Sequence, residues 1–96
     1  MWVLITYDVA TDIAAGRSRL KRVAKTCEDY GQRVQKSVFE CTLSNIIYER
    51  MKRRLLNVVD EKEDSIRFYK LPEGRERHVE EYGQGKIMDF TGPLVV

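Results

Sequence analysis

Leu4-Ile5-Thr6-Tyr7-Asp8-Val9 decides the fold. From Met1 to Tyr7, six of the seven residues are apolar or aromatic, and Thr6 is itself a good strand former. A run with so little alternation suits a strand in the middle of a sheet, buried on both faces. Asp8 falls where that strand leaves the sheet, where a carboxylate on rigid backbone can point into a cleft. The plainer alternative is a polar strand end or turn residue.

Outward from this strand, Ala10-Thr11-Asp12 reads as a polar turn, with Asp12 as the N-cap of a first helix. That helix runs to about Tyr30, where Gly31 supplies a C-cap. Leu20, Val23, Ala24, Cys27 and Tyr30 share an arc of roughly 120°, the face that packs on the sheet. Arg17, Arg19, Lys21, Arg22 and Lys25 cover the rest, and no acid stands between Asp12 and Glu28. Cations near a helix N-terminus oppose the macrodipole, at a cost of a few tenths of a kcal/mol each. Stability alone does not account for them, which leaves a solvated face or a nucleic-acid surface.

Gln32 to Leu43 is the second β-region. Val34, Val38 and Phe39 do not keep one alternation, so the region is either one strand bent at Ser37 or two short paired strands. Arg33 and Phe39 are candidates for the same side as Asp8, a placement the sequence leaves open. Ser44 caps a second helix over about 45–59, with Ile47, Tyr48, Met51, Leu55, Val58 and Val59 inward and Arg50, Lys52, Arg53 and Arg54 outward. Ile46 and Leu56 lie off the core arc and are candidates to meet a partner. Residues 60–64 form a mostly acidic connector, and Ser65-Ile66-Arg67-Phe68-Tyr69-Lys70-Leu71 alternates as a third major strand.

The order is β-α-β(β)-α-β, for which a ferredoxin-like α+β sandwich (βαββαβ) is the economical fold. The chain of 96 residues reads as one domain. Residues 72–85 are a variable loop, and 86–96 a short extra strand with an apolar tail, Leu94-Val95-Val96. Both helices cover one face of the sheet. The other face is expected to be covered by a second copy, in a homodimer through the sheet face, and the apolar tail either docks on the domain itself or adds to that second protomer.

Composition narrows the class. At 43% apolar and 33% charged residues the profile is globular rather than disordered. No run approaches the roughly 20 apolar residues of a membrane span, and the N-terminus lacks the pattern of a signal peptide, so the protein is expected in the cytoplasm, off the membrane. Net charge is only +2. Cys27 and Cys41 sit in apolar surroundings without metal-ligand spacing and read as reduced core residues. With His78 the only histidine, a zinc site or a Cys/His nucleophile pair is disfavoured.

LITYDV (Leu4–Val9), RLKRVAK (Arg19–Lys25), YGQRVQKSVFEC (Tyr30–Cys41) and DSIRFYKL (Asp64–Leu71) together resemble the small CRISPR-associated adaptation protein, the "Cas two" family of endonucleases and endoribonucleases. The GQRVQKSVFEC string is the most specific of these. The likeness runs from Leu4 to about Leu71 in order and spacing, and is looser beyond Pro72.

The resemblance implies a homodimer whose C-terminal strand pairs with the partner's sheet, and two facing copies of Asp8 that bind a divalent metal, Mg2+ or Mn2+. It makes Tyr7 the neighbouring motif aromatic, Arg17 or Arg19 the basic position opening the helix, and Arg33 and Phe39 the basic and aromatic positions of the second β-region. It further implies a metal-dependent endonuclease acting in spacer acquisition beside the CRISPR integrase, with duplex DNA slightly favoured over single-stranded RNA. A non-catalytic DNA-binding adaptor bridging integrase dimers is the alternative, and a toxin-type ribonuclease on the same fold a more distant third.

Overall fold

The computed structural model describes residues 1–72 and 78–83. The expected C-terminal strand and tail, 86–96, lie outside the described residues. The elements are β1 (Trp2–Asp8), α1 (Ala14–Tyr30), β2 (Gln32–Gln35), β3 (Val38–Thr42), α2 (Asn45–Val58) and β4 (Ser65–Leu71). The sheet order is β2-β3-β1-β4, and every neighbouring pair is antiparallel. This is the α+β ferredoxin-like arrangement, with β1 at the centre between β3 and β4.

Of the two readings of the second β-region, two short paired strands is the correct one. Lys36 and Ser37 make the turn, and the register slips between Arg33 and Gln35. That slip is the phase change visible in the apolar pattern.

Alternation along β1 assigns its faces. Val3, Ile5 and Tyr7 join Phe39, Cys41 and Leu43 in one core cluster, completed by Val23 and Cys27 of α1 and by Tyr48, Met51 and Leu55 of α2. The helices therefore lie on this face. Trp2, Leu4, Thr6 and Asp8 point to the other face, where the Trp2 indole donates to Glu40 Oε1 at 3.2 Å. Val79, Glu80, Glu81 and Tyr82 lie beside β2 and β3 there, sharing a shallow cavity with Val34, Gln35, Val38 and Glu40.

Both cysteines are free and buried. Burial pushes each thiol up to about 12, with Cys41 adding to the effect at Cys27 and Glu40 at Cys41. They are packing groups rather than nucleophiles.

One helix end differs from its sequence reading. Ile13, not Asp12, is the N-cap of α1, and no side chain caps that end. The turn is closed by backbone instead, with Gly16 N and Arg17 N donating to Ile13 O at 3.1 and 3.2 Å. Gly31 is the C-cap, and its N–H donates to Cys27 O at 2.9 Å, but its backbone is extended. Glycine is required there for space: a Cβ would collide with Glu40 O and lie 2.5 Å from Cys41 Sγ. Ser44 caps α2 as expected, accepting from Ile47 N at 3.3 Å.

Candidate active site at the end of the first strand

Asp8 is the last residue of β1 and is paired in register with Ser65, the first residue of β4. Its side chain is exposed, and it makes no hydrogen bond or ion pair with the described residues. Pairing with β4 fixes its backbone on one side, while the β1–β3 register stops two residues earlier at Thr6–Val38, so the carboxylate is anchored at its root and open at its tip.

Tyr7 points the opposite way. Its ring lies 6.2 Å from that of Phe39, nearly parallel, and the Arg33 guanidinium stacks over Phe39 at 5.1 Å. Arg33 is also 3.7 Å from Glu28 Oε1. The Tyr7 hydroxyl donates to Lys36 O at 3.5 Å, and Tyr7 N donates to Ser37 O at 3.1 Å. Burial pushes the Tyr7 phenol above its ordinary value, with Cys27 adding to this and Arg33 offsetting part of it. The phenol is thus a neutral donor that ties the β2–β3 turn to the strand end.

Of the placements the sequence leaves open, Arg33 and Phe39 do not share a side with Asp8. Phe39 pairs with Ile5, whose side chain enters the helix-covered core, and Arg33 pairs with Phe39. Phe39 has no exposed surface, since core lies beneath it and Arg33 above.

The two arginines at the opening of α1 separate clearly. Arg19 is committed to Asp64: Nε meets Oδ2 at 2.8 Å and Nη2 meets Oδ1 at 3.2 Å, a bidentate fork. The Asp64 side chain has no exposed surface, and it also accepts from Ala10 N at 3.1 Å and Asp60 N at 2.9 Å. Arg19, together with those two N–H groups, holds the Asp64 carboxyl below the usual carboxylate range. Arg17 donates only to Thr11 O, at 3.2 Å, and makes no ion pair with the described residues. Arg17 is the arginine free to meet an external phosphate.

The structure thus gathers Tyr7, Arg33 and Phe39 into one stack on the helix side. It sets Asp8 beyond that stack on the opposite face and places Arg17 and Arg19 on the helix that the Asp8 loop leads into. Asp64 is the residue sequence reasoning missed. In sequence it falls in the acidic connector, yet it opens the DSIRFYKL segment and stands beside the end of β1 once β1 and β4 pair.

For a cation, Asp8 is a hard oxygen donor suited to Mg2+ or Mn2+. Among the described residues no group of three or more His, Cys, Asp or Glu side chains is placed to hold a metal. One chain offers a single carboxylate here. Mg2+ is commonly held by one or two carboxylates with its remaining positions filled by water, and Asp8 is a donor of that kind.

The family model for CRISPR associated protein Cas2 matches residues 1–79. The chain belongs to the Cas2 family. It is 51% identical to "CRISPR-associated endoribonuclease Cas2 1" of Moorella thermoacetica, across the full length of both chains. It is 44% identical to "CRISPR-associated endonuclease Cas2" of Halalkalibacterium halodurans, covering 99% of each chain. Among solved structures, Streptococcus pyogenes Cas2 superposes with a TM-score of 0.76 at 55% identity, covering 86% of this chain and all of that one. Family and fold agree with the resemblance read from LITYDV and GQRVQKSVFEC. Among the described residues no helix is long and apolar enough to cross a membrane.

Proposed function

We propose that this Cas2 chain is a metal-dependent endonuclease that cuts a phosphodiester bond at Asp8, working as a homodimer with duplex DNA favoured over single-stranded RNA. The observation that carries this reading is the Asp8 carboxylate itself, exposed and uncommitted at the end of the most constrained strand. The printed names of the relatives, endoribonuclease and endonuclease, support the reaction class.

A divalent cation bound there supplies an activated water and charge for the transition state. Asp8 of each copy would hold that cation, from the paired end of β1. Arg17 orients a phosphate by charge and fork geometry. Tyr7, Phe39 and Arg33 brace the turn beside the strand end from the helix side.

The helices supply attraction. They carry nine Lys and Arg against three Asp and Glu, whereas the remaining residues carry eight against twelve. Neither helix has an acid in its first turn. Arg17, Lys21, Arg22, Arg50 and Arg53 make no ion pair with the described residues. Such a surface engages phosphates without reading bases. The lean to duplex DNA comes from symmetry, since a two-fold dimer matches the local two-fold of a duplex.

One observation favours the second reading, a DNA-binding adaptor beside the CRISPR integrase. Lys21, Arg22, Arg50 and Arg53 lie on the helical layer, on the opposite side of the sheet from the Asp8 face, so DNA held by them need not reach Asp8.

The test is cleavage of duplex DNA and single-stranded RNA with Mg2+, with chelator, and with Asp8→Ala alongside. Metal-dependent cutting that disappears in the variant supports the nuclease and names its substrate. Retained binding without cutting of either nucleic acid selects the adaptor.

A further inference from the structure

We infer that Asp64 is a positioning residue for Asp8, fixing the backbone that leaves the catalytic strand and holding Arg19 in place beside it. This rests on the reading of Asp8 as the working acid.

Asp64 immediately precedes Ser65, the register partner of Asp8. Its carboxylate has no exposed surface, and one of its bonds reaches the loop that leaves the strand end. Oδ1 accepts from the N–H of Ala10, two residues beyond Asp8, and from Arg19 Nη2. Oδ2 accepts from Arg19 Nε and from Asp60 N. One carboxylate therefore ties together the loop after β1, the first half of α1 and the connector into β4. The same loop is pressed onto α1 at Gly16: a Cβ there would overlap Ala10 O and come within 3.5 Å of Arg19 Nη2. Arg17 adds a third tie through Thr11 O.

A charged group built only for stability is commonly replaceable by apolar packing. This one faces two backbone N–H groups and a guanidinium, donors that an apolar side chain leaves unpaired. It also keeps the guanidinium occupied. Arg19 is thereby held next to the Ala10 peptide, where both Arg19 Nη2 and the Ala10 N–H meet Asp64 Oδ1. A small displacement of a reacting group is costly: about 1 Å can lower a rate by about a hundredfold.

The experiment compares Asp64→Asn and Asp64→Glu with wild type, as full-length protein, well below each melting temperature. Asparagine keeps the shape but cannot accept from all four donors. Glutamate keeps the charge and the Arg19 pair but moves the carboxylate outward by one methylene, so it decides the matter if the asparagine variant does not fold. Both are expected to lower kcat for Mg2+-dependent cleavage by about ten- to a hundredfold, with KM changed by less than about threefold. Amide exchange at Ala10 should speed up at the same time. A wild-type kcat in a folded variant, whatever its melting temperature, overturns the inference. If wild type itself does not cut, the reading of Asp8 fails separately. The Ala10 amide then decides: lost protection in the Asp64 variants supports positioning, and unchanged protection refutes it.

Discussion

Asp8 and Asp64 stand at the adjoining ends of two paired strands, yet they are opposite kinds of carboxylate. Asp64 is sealed from solvent and accepts four hydrogen bonds. Asp8 is exposed and bonded to none of the described residues. Folding uses up the hydrogen-bonding capacity of the first and leaves that of the second intact. An acid whose acceptors are filled contributes stability, whereas one held on fixed backbone with its acceptors open is available for chemistry.

The sharpest way to break this comparison is to exchange the losses. Asp8→Ala is expected to remove all metal-dependent cleavage while changing unfolding free energy by less than about 0.5 kcal/mol, as for a surface substitution. Cleavage assays beside urea unfolding check both halves, and a large stability loss would show that Asp8 has a structural partner. Asp64→Ala is expected to cost about 2–3 kcal/mol, because it strips acceptors from buried donors, one of them charged. A change near zero by urea unfolding would mean that those donors find water.

The comparison is sharpened by acid. The folded-state pKa of Asp64 is depressed, so the unfolded chain binds its proton first as pH falls. Its contribution is present above the unfolded value of about 3.9 and is lost as pH drops through the lower folded value. Asp29, paired with Lys25 and Arg54, is depressed as well and titrates in the same direction. Unfolding measured from pH 5 downward should therefore show a shallower acid loss in Asp64→Asn than in wild type. Identical slopes would assign the acid sensitivity elsewhere.

The smallest effect concerns Arg17, the arginine that Asp64 leaves unclaimed. Arg17→Ala should lower the slope of log affinity against log salt by about 0.9, the value for one released phosphate contact on duplex DNA. Arg17 therefore needs a binding titration across salt concentrations, and an unchanged slope would make it a loop brace only.

Much of this was legible beforehand. The unalternating run at Met1–Tyr7 marked the central strand, the arcs through Val23 and Cys27 and through Met51 and Leu55 marked the core faces, and Ser44 marked a helix start. Each of these is a local pattern with a fixed period. What escaped depends on contacts distant in sequence. Arg17 and Arg19 are alike until Asp64, 45 residues further along the chain from Arg19, claims one of them. Phe39 turns away from Asp8 because pairing with Ile5 sets its side, and the register slip in β2 hid that parity. Gly31 is glycine because the Glu40 carbonyl passes beside it, which no helix-end rule contains.

The uneven division of charge between the helices and the rest of the chain has a consequence for encounter. Among the described residues, a surplus of six positive charges on the helices, against a deficit of four over the rest, gives this part of the molecule an electric dipole larger than the net +2 suggests. Near a polyanion it should experience a torque before it makes contact, turning the helices forward. On a cation-exchange resin it should be retained as a far more basic protein would be, adsorbed by one side.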